Sequence, residues 1–482
     1  MLTPPDILAT GPELSINASS SPYIHNLSSR VSVVKNDNRQ DEIELAETSR
    51  KSDRSQPADS DTHSNDHPPR TNTLLAKVQF ASLCWSLFLA GWNDGTTGPL
   101  LPRIQEVYHV GFAVVSLIFV ANCIGFVTGS LSNIWLTRKL GFGKIIVLGS
   151  LAQTIGYCFQ SPAPPFPVFV IGYGINGFGL ALQDAQANGY VASYKSNGAT
   201  LMGVLHAVYG AGALASPLVA TQFAQLPHWS FHYLCSLGVA LSNTIALAAI
   251  FRFQTQEECL AEIGEVPTAE ERDEIDANED DHYSQIFKLK ALHLLAFFTL
   301  VYVGVEVTIG GWIVTFIIDK RGGGPSSGYI SAGFFGGLAL GRVALLWLNR
   351  KVGERRIIFR YILLAIGQVI TFSNPVLLEI IVWLVPSLIG DAVAVSFVGM
   401  LLGPVYPIIM NESGRILPRW LLTGCIGWIA GFGQTGSAAL PFMTGAISSA
   451  AGIGALQPLL VSMMGLLLIL WALIPKAHQR AD

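Results

Sequence analysis

From residue 76 onward the chain alternates long apolar runs with short polar breaks. A helix needs about 20 mainly apolar residues to cross a bilayer. Twelve segments meet that length, at roughly 76–101, 112–136, 144–161, 166–192, 199–225, 230–252, 290–318, 326–348, 356–373, 376–408, 420–447 and 453–474. The pattern predicts an all-α membrane protein with twelve transmembrane helices. The tenth run is overlong and carries Pro386, Pro404 and Pro407. It is expected either to kink or to leave the membrane at its cytosolic end.

Polar segments frame these runs. Residues 1–73 are rich in Ser, Asp, Asn and His and hold too little apolar surface to order themselves, so they read as a disordered cytosolic tail. Two groups of six spans are expected at 74–253 and 289–475. Between them, 254–288 reads as an acidic cytosolic linker with room for a short helix, and 476–482 forms a second cytosolic tail.

Charge sharpens this division. Only 13 % of residues are charged, against about 25 % in soluble domains. Of 33 acidic residues, 11 lie in 1–73 and 12 between Gln254 and Lys288, which leaves 10 for the rest of the chain. The net charge of −4 therefore comes from the polar segments. No basic patch with interleaved aromatics exists, so no nucleic-acid partner is expected. The six cysteines show no paired spacing, and no cofactor or metal site is expected.

Lys and Arg set the orientation. With an even span number both termini share one side. The loops on that side carry Arg138, Lys139, Lys144, Lys195, Arg350, Lys351, Arg355, Arg356, Arg415 and Arg419; the opposite loops carry Arg103, Lys320 and Arg321. The positive-inside rule then puts both termini in the cytosol.

An internal repeat underlies the two halves. Shifting the chain by 212 residues lays Asp94 on Glu306, Thr96 on Thr308, Gly98 on Gly310, Gly125 on Gly337 and Gly129 on Gly341. The same shift lays Arg138 on Arg350, Lys139 on Lys351, Gly141 on Gly353 and Lys144 on Arg356. Spans five and eleven align at 224 instead, Gly212 on Gly436 and Pro217 on Pro441. The G-x-x-x-G pairs let helix backbones approach closely, as helices do in lipid. The basic run R-K-x-G-x-x-[KR] makes a tight cytosolic turn whose charges meet helix C-termini. Arg138, Lys139, Lys144, Arg350, Lys351 and Arg356 are thus candidate cytosolic gate residues, with topology anchoring as the alternative role.

Twelve spans, a central loop and this duplicated basic turn resemble the major facilitator superfamily over residues 76–475. The resemblance implies two pseudo-symmetric six-helix bundles around one central cavity, working by alternating access. One departure stands out. The family's turn usually carries Asp before the Arg, where this chain has Thr137 and Asn349, so the acid of the usual gating salt bridge is missing.

Ionisable groups inside a span are costly and face a cavity or a partner. Asp94, Asp184, Glu306, Arg342 and Asp391 lie deep in their runs, and Glu379 lies near an outer end. Asp94 sits in FLAGWNDGTTGPLLPRIQ, beside Asn93, where glycines and Pro99 point to irregular helix lining a cavity. Asp184 and Asn188 share one helix face, with Gln183 adjacent. A carboxylate at low dielectric can exchange a proton near neutral pH, as proton coupling requires. Asp94, Asp184, Asn188 and Glu306 are therefore the expected coupling and substrate groups.

The first and fourth spans resemble those of the fucose-permease-like branch, and the whole chain resembles a group of fungal facilitators. The branch resemblance implies proton coupling and substrate binding at Asp94 and Asp184. Asn93, Gln183, His206, Tyr209, Trp312 and Gln434 are the further cavity candidates. Arg342 and Asp391, counted to similar depths, are expected to form a structural ion pair.

The leading expectation is a secondary transporter, not an enzyme, moving a sugar-like solute with protons. It is expected to act as a monomer in a lipid bilayer, the plasma membrane by default. The partial motif Gly212-x-x-x-Ser216-Pro217 resembles that of facilitator antiporters and supports proton-driven export of a metabolite as the alternative. A solute receptor signalling through its tail is the second alternative. No G-x-S-x-G, H-E-x-x-H or P-loop points to catalysis.

Overall fold

The computed structural model describes residues 72–194, 197–265, 288–373, 388–417 and 422–476. The tail 1–71, Glu379, Lys195, Arg419 and most of the acidic linker lie outside them.

The first half opens with α1 (Thr73–Tyr108), then a short α2 (Phe112–Val115) leading into α3 (Leu117–Leu140). It continues with α4 (Phe142–Gln160), α5 (Phe166–Ala192), α6 (Gly198–Ala224) and α7 (His232–Phe251). The linker begins with α8 (Gln256–Glu262), which Thr255 and Glu258 close with a capping box. Its Cys259, Leu260 and Ile263 pack with Phe142, Tyr190 and Phe251, so α8 is docked on the first half rather than solvated.

The second half runs through α9 (Lys290–Arg321), α10 (Tyr329–Ala344), α11 (Leu346–Val352) and α12 (Glu354–Ser373). It ends with α13 (Leu388–Leu402), α14 (Val405–Ile416), α15 (Leu422–Gln434), α16 (Gly436–Ala451) and α17 (Leu456–Leu473).

Among the described residues, nine helical segments are long and apolar enough to cross a membrane, and the bent pair α10 and α11 (52°) makes ten. The expected ninth and eleventh spans are not among these ten. α12 opens on Glu354, Arg355, Arg356 and Arg360. The eleventh is split at Thr435 into pieces of 13 and 16 residues. The tenth also breaks, at Gly403–Pro404, between α13 and α14; proline cannot donate the helix-interior hydrogen bond. That span runs on to Ile416, past the expected end at 408.

The duplicated glycines do the same work twice. A Cβ on Gly125 would strike the Gly174 carbonyl of α5, and one on Gly129 would meet Phe178. In the other half, Gly337 and Gly341 lie against the Ser396 and Met400 carbonyls of α13. Spans two and four, and eight and ten, thus pack backbone to backbone. Where the family turn carries Asp, neutral groups are bound instead. Gln186 Nε2 donates to Thr137 Oγ1 and Asn133 Oδ1, both at 2.7 Å, and Tyr361 Oη donates to Asn349 Oδ1 at 2.6 Å.

The halves meet at the end away from the basic turns. Ala113 N–H donates to Ser449 Oγ at 2.9 Å, and Gln222 bonds the Tyr329 hydroxyl. Gly445 lies so close to Phe112 and Ser116 that an added Cβ would sit 2.7 Å from the Phe112 carbonyl oxygen. Midway along, Gly98 abuts the Gly310 carbonyl and Gly311 abuts the Phe119 ring.

Candidate functional site

Below those contacts lies a polar cavity between the halves, enclosing about 620 Å³ of empty space with its mouth included. One wall comes from the first half: Asn93, Asp94 and Thr97 on α1, Asn122 on α3, Tyr173 on α5 and Tyr209 on α6. The facing wall carries Glu306 on α9 with Gln434 and Ser437 at the break between α15 and α16. Phe119 and Phe335 add aromatic surface.

Asp94 reaches the cavity from an unbroken helix. The irregular backbone expected there is absent: α1 stays helical through Asp94, Pro99 and Pro102. The flanking glycines serve another purpose. A Cβ on Gly91 would overlap the Tyr209 carbonyl, and Gly95 lies against Ala213 and Pro217. With both bare, α6 comes close enough for Tyr209 Oη to donate to Asp94 Oδ2 at 2.5 Å. Asn93 also lines the cavity, while its Oδ1 accepts from Asn176 (3.1 Å) and Tyr157 (3.3 Å).

Glu306 has a different partner. Arg342 Nη2 lies 3.9 Å from its Oε1, with both side chains largely buried. This corrects the expected Arg342–Asp391 pair. Asp391 lies 3.8 Å from Arg321 Nε instead. The two do not share a depth: Arg342 N lies beside Gly403, twelve residues along the tenth span from Asp391, and Asp391 stands level with the last residue of α9. Rotation of α10 about its axis turns Arg342 toward α9.

Asp184 is not part of the cavity wall. Asn188 Nδ2, one turn away, donates to its Oδ1 at 3.0 Å, so the expected shared face holds. Gln183 points elsewhere: its Oε1 accepts from Gln153 at 2.6 Å and Asn243 at 3.4 Å, deep inside the first half. Neighbouring helix positions lie about 100° apart, so Asp184 and Gln183 cannot share a face. Trp312 is fully buried, donating from Nε1 to the Pro441 carbonyl at 3.0 Å and packing on Phe112 and Phe119. It supports the closed end rather than the cavity. His206 lies outside the lining, within electrostatic range of Arg342.

None of the six candidate gate residues lines the cavity. Lys139 Nζ lies 4.1 Å over the Trp135 ring, and Lys351 Nζ lies 4.8 Å over Trp347. Trp135 and Trp347 are themselves 212 residues apart, so the repeat extends to this cation–π pair. At the same end, Arg415 bridges Glu354 (2.8 Å) and Glu412 (2.7 Å).

Sequence reasoning missed Asn122, Thr97, Tyr173 and Ser437. Asn122 was findable as a lone amide in an apolar run. The hydroxyls were not, because Ser and Thr in such helices commonly bond their own backbone, as Thr96 does to the Trp92 carbonyl at 2.8 Å.

Two halves that touch at one end and enclose a polar cavity are the architecture of a membrane transporter. The chain belongs to the Major Facilitator Superfamily, whose model matches residues 83–441. Its relatives include Bypass of stop codon protein 6 of Saccharomyces cerevisiae, 25 % identical over 419 residues and covering 83 % of each chain. The glucose/mannose transporter GlcP of Bacillus subtilis is 21 % identical over 344 residues, covering 69 % of this chain and 79 % of that one. Among solved structures, a D-xylose-proton symporter aligns with a TM-score of 0.67 at 13 % identity, over 84 % of this chain and 98 % of that one. The transporter FucP, in its outward conformation, aligns with a TM-score of 0.56 at 16 % identity, over 83 % and 99 %.

Proposed function

We propose that the protein carries a small hydroxyl-rich, sugar-like solute across a membrane by alternating access, coupled to protons through Asp94. The observation that carries this reading is the cavity's lining. Two carboxylates, three amides and several hydroxyls face aromatic rings. Sugars present that same mixture, with hydroxyls at the edge and apolar C–H faces to lie on aromatics. The named substrates of the glucose/mannose transporter and of the xylose-proton symporter fit the same class.

The positive-inside rule puts the basic turns, both termini and α8 in the cytosol. The halves then touch at the outer end and the cavity belongs to an inward-facing conformer. Arg138, Lys139, Lys144, Arg350, Lys351 and Arg356 would gate or anchor the cytosolic end. The working unit is a monomer in the plasma membrane.

Asp94 suits coupling because its partner is a neutral hydroxyl. Protonation alters one hydrogen bond there, whereas at Glu306 it would strand the buried Arg342 cation. Gly212 packs against the Phe88 carbonyl, Ser216 bonds Thr96 at 2.7 Å and Pro217 lies against Gly95, so the motif serves the α1–α6 contact.

The test is reconstitution in liposomes with an imposed proton gradient and labelled D-glucose, D-mannose, D-galactose and D-xylose, beside amphipathic metabolites. Saturable, gradient-driven uptake of one of the sugars is expected. Saturable flux confined to the amphipathic compounds would overturn the sugar reading.

A further inference from the structure

One helical turn below the cavity, toward the basic-turn end, a second polar layer spans the cleft. From the first half come Asp184, eight residues before the end of α5, and His206, eight residues after the start of α6. From the second come Arg342, ten residues before the end of α11, and Tyr406, ten before the end of α14. At 1.5 Å per residue these lie about 12 Å to about 15 Å from that end, so the four share one level.

Their partnering is incomplete. Asp184 Oδ1 takes its hydrogen bond from Asn188 on its own helix, and no ion pair with it is recorded among the described residues. Arg342 holds Glu306 at 3.9 Å, a loose pair, and its Nε is buried without a hydrogen-bond partner. Tyr406 lies within electrostatic range of both Asp184 and Arg342, which marks it as their common neighbour. Asp184 on one half and Arg342 on the other therefore share Tyr406 as a neighbour.

We propose that Asp184 and Arg342 pair when the basic-turn end closes, Arg342 exchanging Glu306 for Asp184. The pair is the latch of the opposite conformer. A salt bridge that swaps partners between two packed states is a bistable element. The exchange keeps the Arg342 cation paired in both states. It also releases the Glu306 carboxylate toward the cavity when the far end opens, where a solute hydroxyl can reach it. This proposal rests on the transport reading above and adds the residues that lock one of its states.

The test uses cysteine pairs in a background whose six native cysteines are replaced. Asp184→Cys/Arg342→Cys reports closure of the basic-turn end with a short bifunctional thiol reagent. Ala113→Cys/Ser449→Cys reports closure of the far end. Gly445→Trp places a bulky ring where no Cβ fits, and so holds the far end apart. Adding Gly445→Trp should abolish the 113/449 cross-link and raise the 184/342 rate at least about tenfold. Loss of the 113/449 cross-link with no gain at 184/342 overturns the latch while leaving alternating access intact. If the 113/449 cross-link persists unchanged, the two-state premise fails and the latch with it. A second readout needs no cysteine at either latch residue. Asp184→Arg should favour the present conformer and raise 113/449 cross-linking several-fold, and Asp184→Arg/Arg342→Asp should return it to the parent level. No difference between the single and double variants would also overturn the proposal.

Discussion

Asp94 and Glu306 stand at matching positions in the two halves, 212 residues apart, and line the same cavity from opposite walls. Their partners differ. Asp94 accepts a hydrogen bond from the Tyr209 hydroxyl, and Glu306 faces the Arg342 guanidinium. Neither partner is itself repeated, although the Tyr302 hydroxyl also lies beside Glu306 and Arg342. At the 212 offset, Ser130 stands where a second Arg342 would be. At the 224 offset, Gly433 stands where a second Tyr209 would be. Duplication preserved the depth of the carboxylates and divergence changed what surrounds them. A carboxylate held by a neutral donor is free to change its protonation state, while one held by a buried cation is part of a pair that must move together.

The largest test of this difference is Asp94→Asn. Proton-driven sugar uptake should fall by at least about 100-fold, the range of a lost proton-transfer group. Counterflow, which needs no net proton movement, should stay within about threefold of the parent. Undiminished proton-driven uptake would remove Asp94 from the coupling role.

Glu306 should behave as half of a pair. Glu306→Gln alone leaves Arg342 unpaired and should lower stability by about 3 kcal/mol, read as thermal unfolding in detergent. Adding Arg342→Met should recover most of that loss, to within about 1 kcal/mol of the parent. A double variant as unstable as the single would mean the two groups do not interact.

A smaller effect is expected at Tyr209. Tyr209→Phe removes one hydrogen bond to a charged acceptor and should reduce kcat/KM about tenfold, with the helices still packed. No change would leave Asp94 without its assigned partner. The smallest effect on transport belongs to Trp312→Phe. Loss of the buried indole bond to Pro441 should cost about 1 kcal/mol of stability, with sugar KM changed less than about twofold. A large rise in KM would return Trp312 to the binding site.

Much of this was legible beforehand. Apolar run length located the spans, the 212 offset paired Asp94 with Glu306, and the prolines of the tenth run marked a span that breaks at Gly403–Pro404. Asn93, Asp94, Tyr209, Glu306 and Gln434 were read as cavity groups and do line it. Gln183, His206 and Trp312 were read the same way and do not. All eight are polar or amphipathic residues in apolar runs. The difference is the angular position of each side chain about its helix axis, which decides between the cavity and a neighbouring helix.

The sequence by itself determined the membrane as solvent, the all-helical architecture and the duplicated halves. Those follow from run length and composition, which are local properties. Only the tertiary structure decided which charges meet. Arg342 joins Glu306 and Arg321 joins Asp391 because helix rotation and bundle packing set their positions. Glycine contacts between α1 and α6, too close for any side chain, set the approach that puts Tyr209 on Asp94. Pairing is a property of two helices at once, and no single run of residues encodes it.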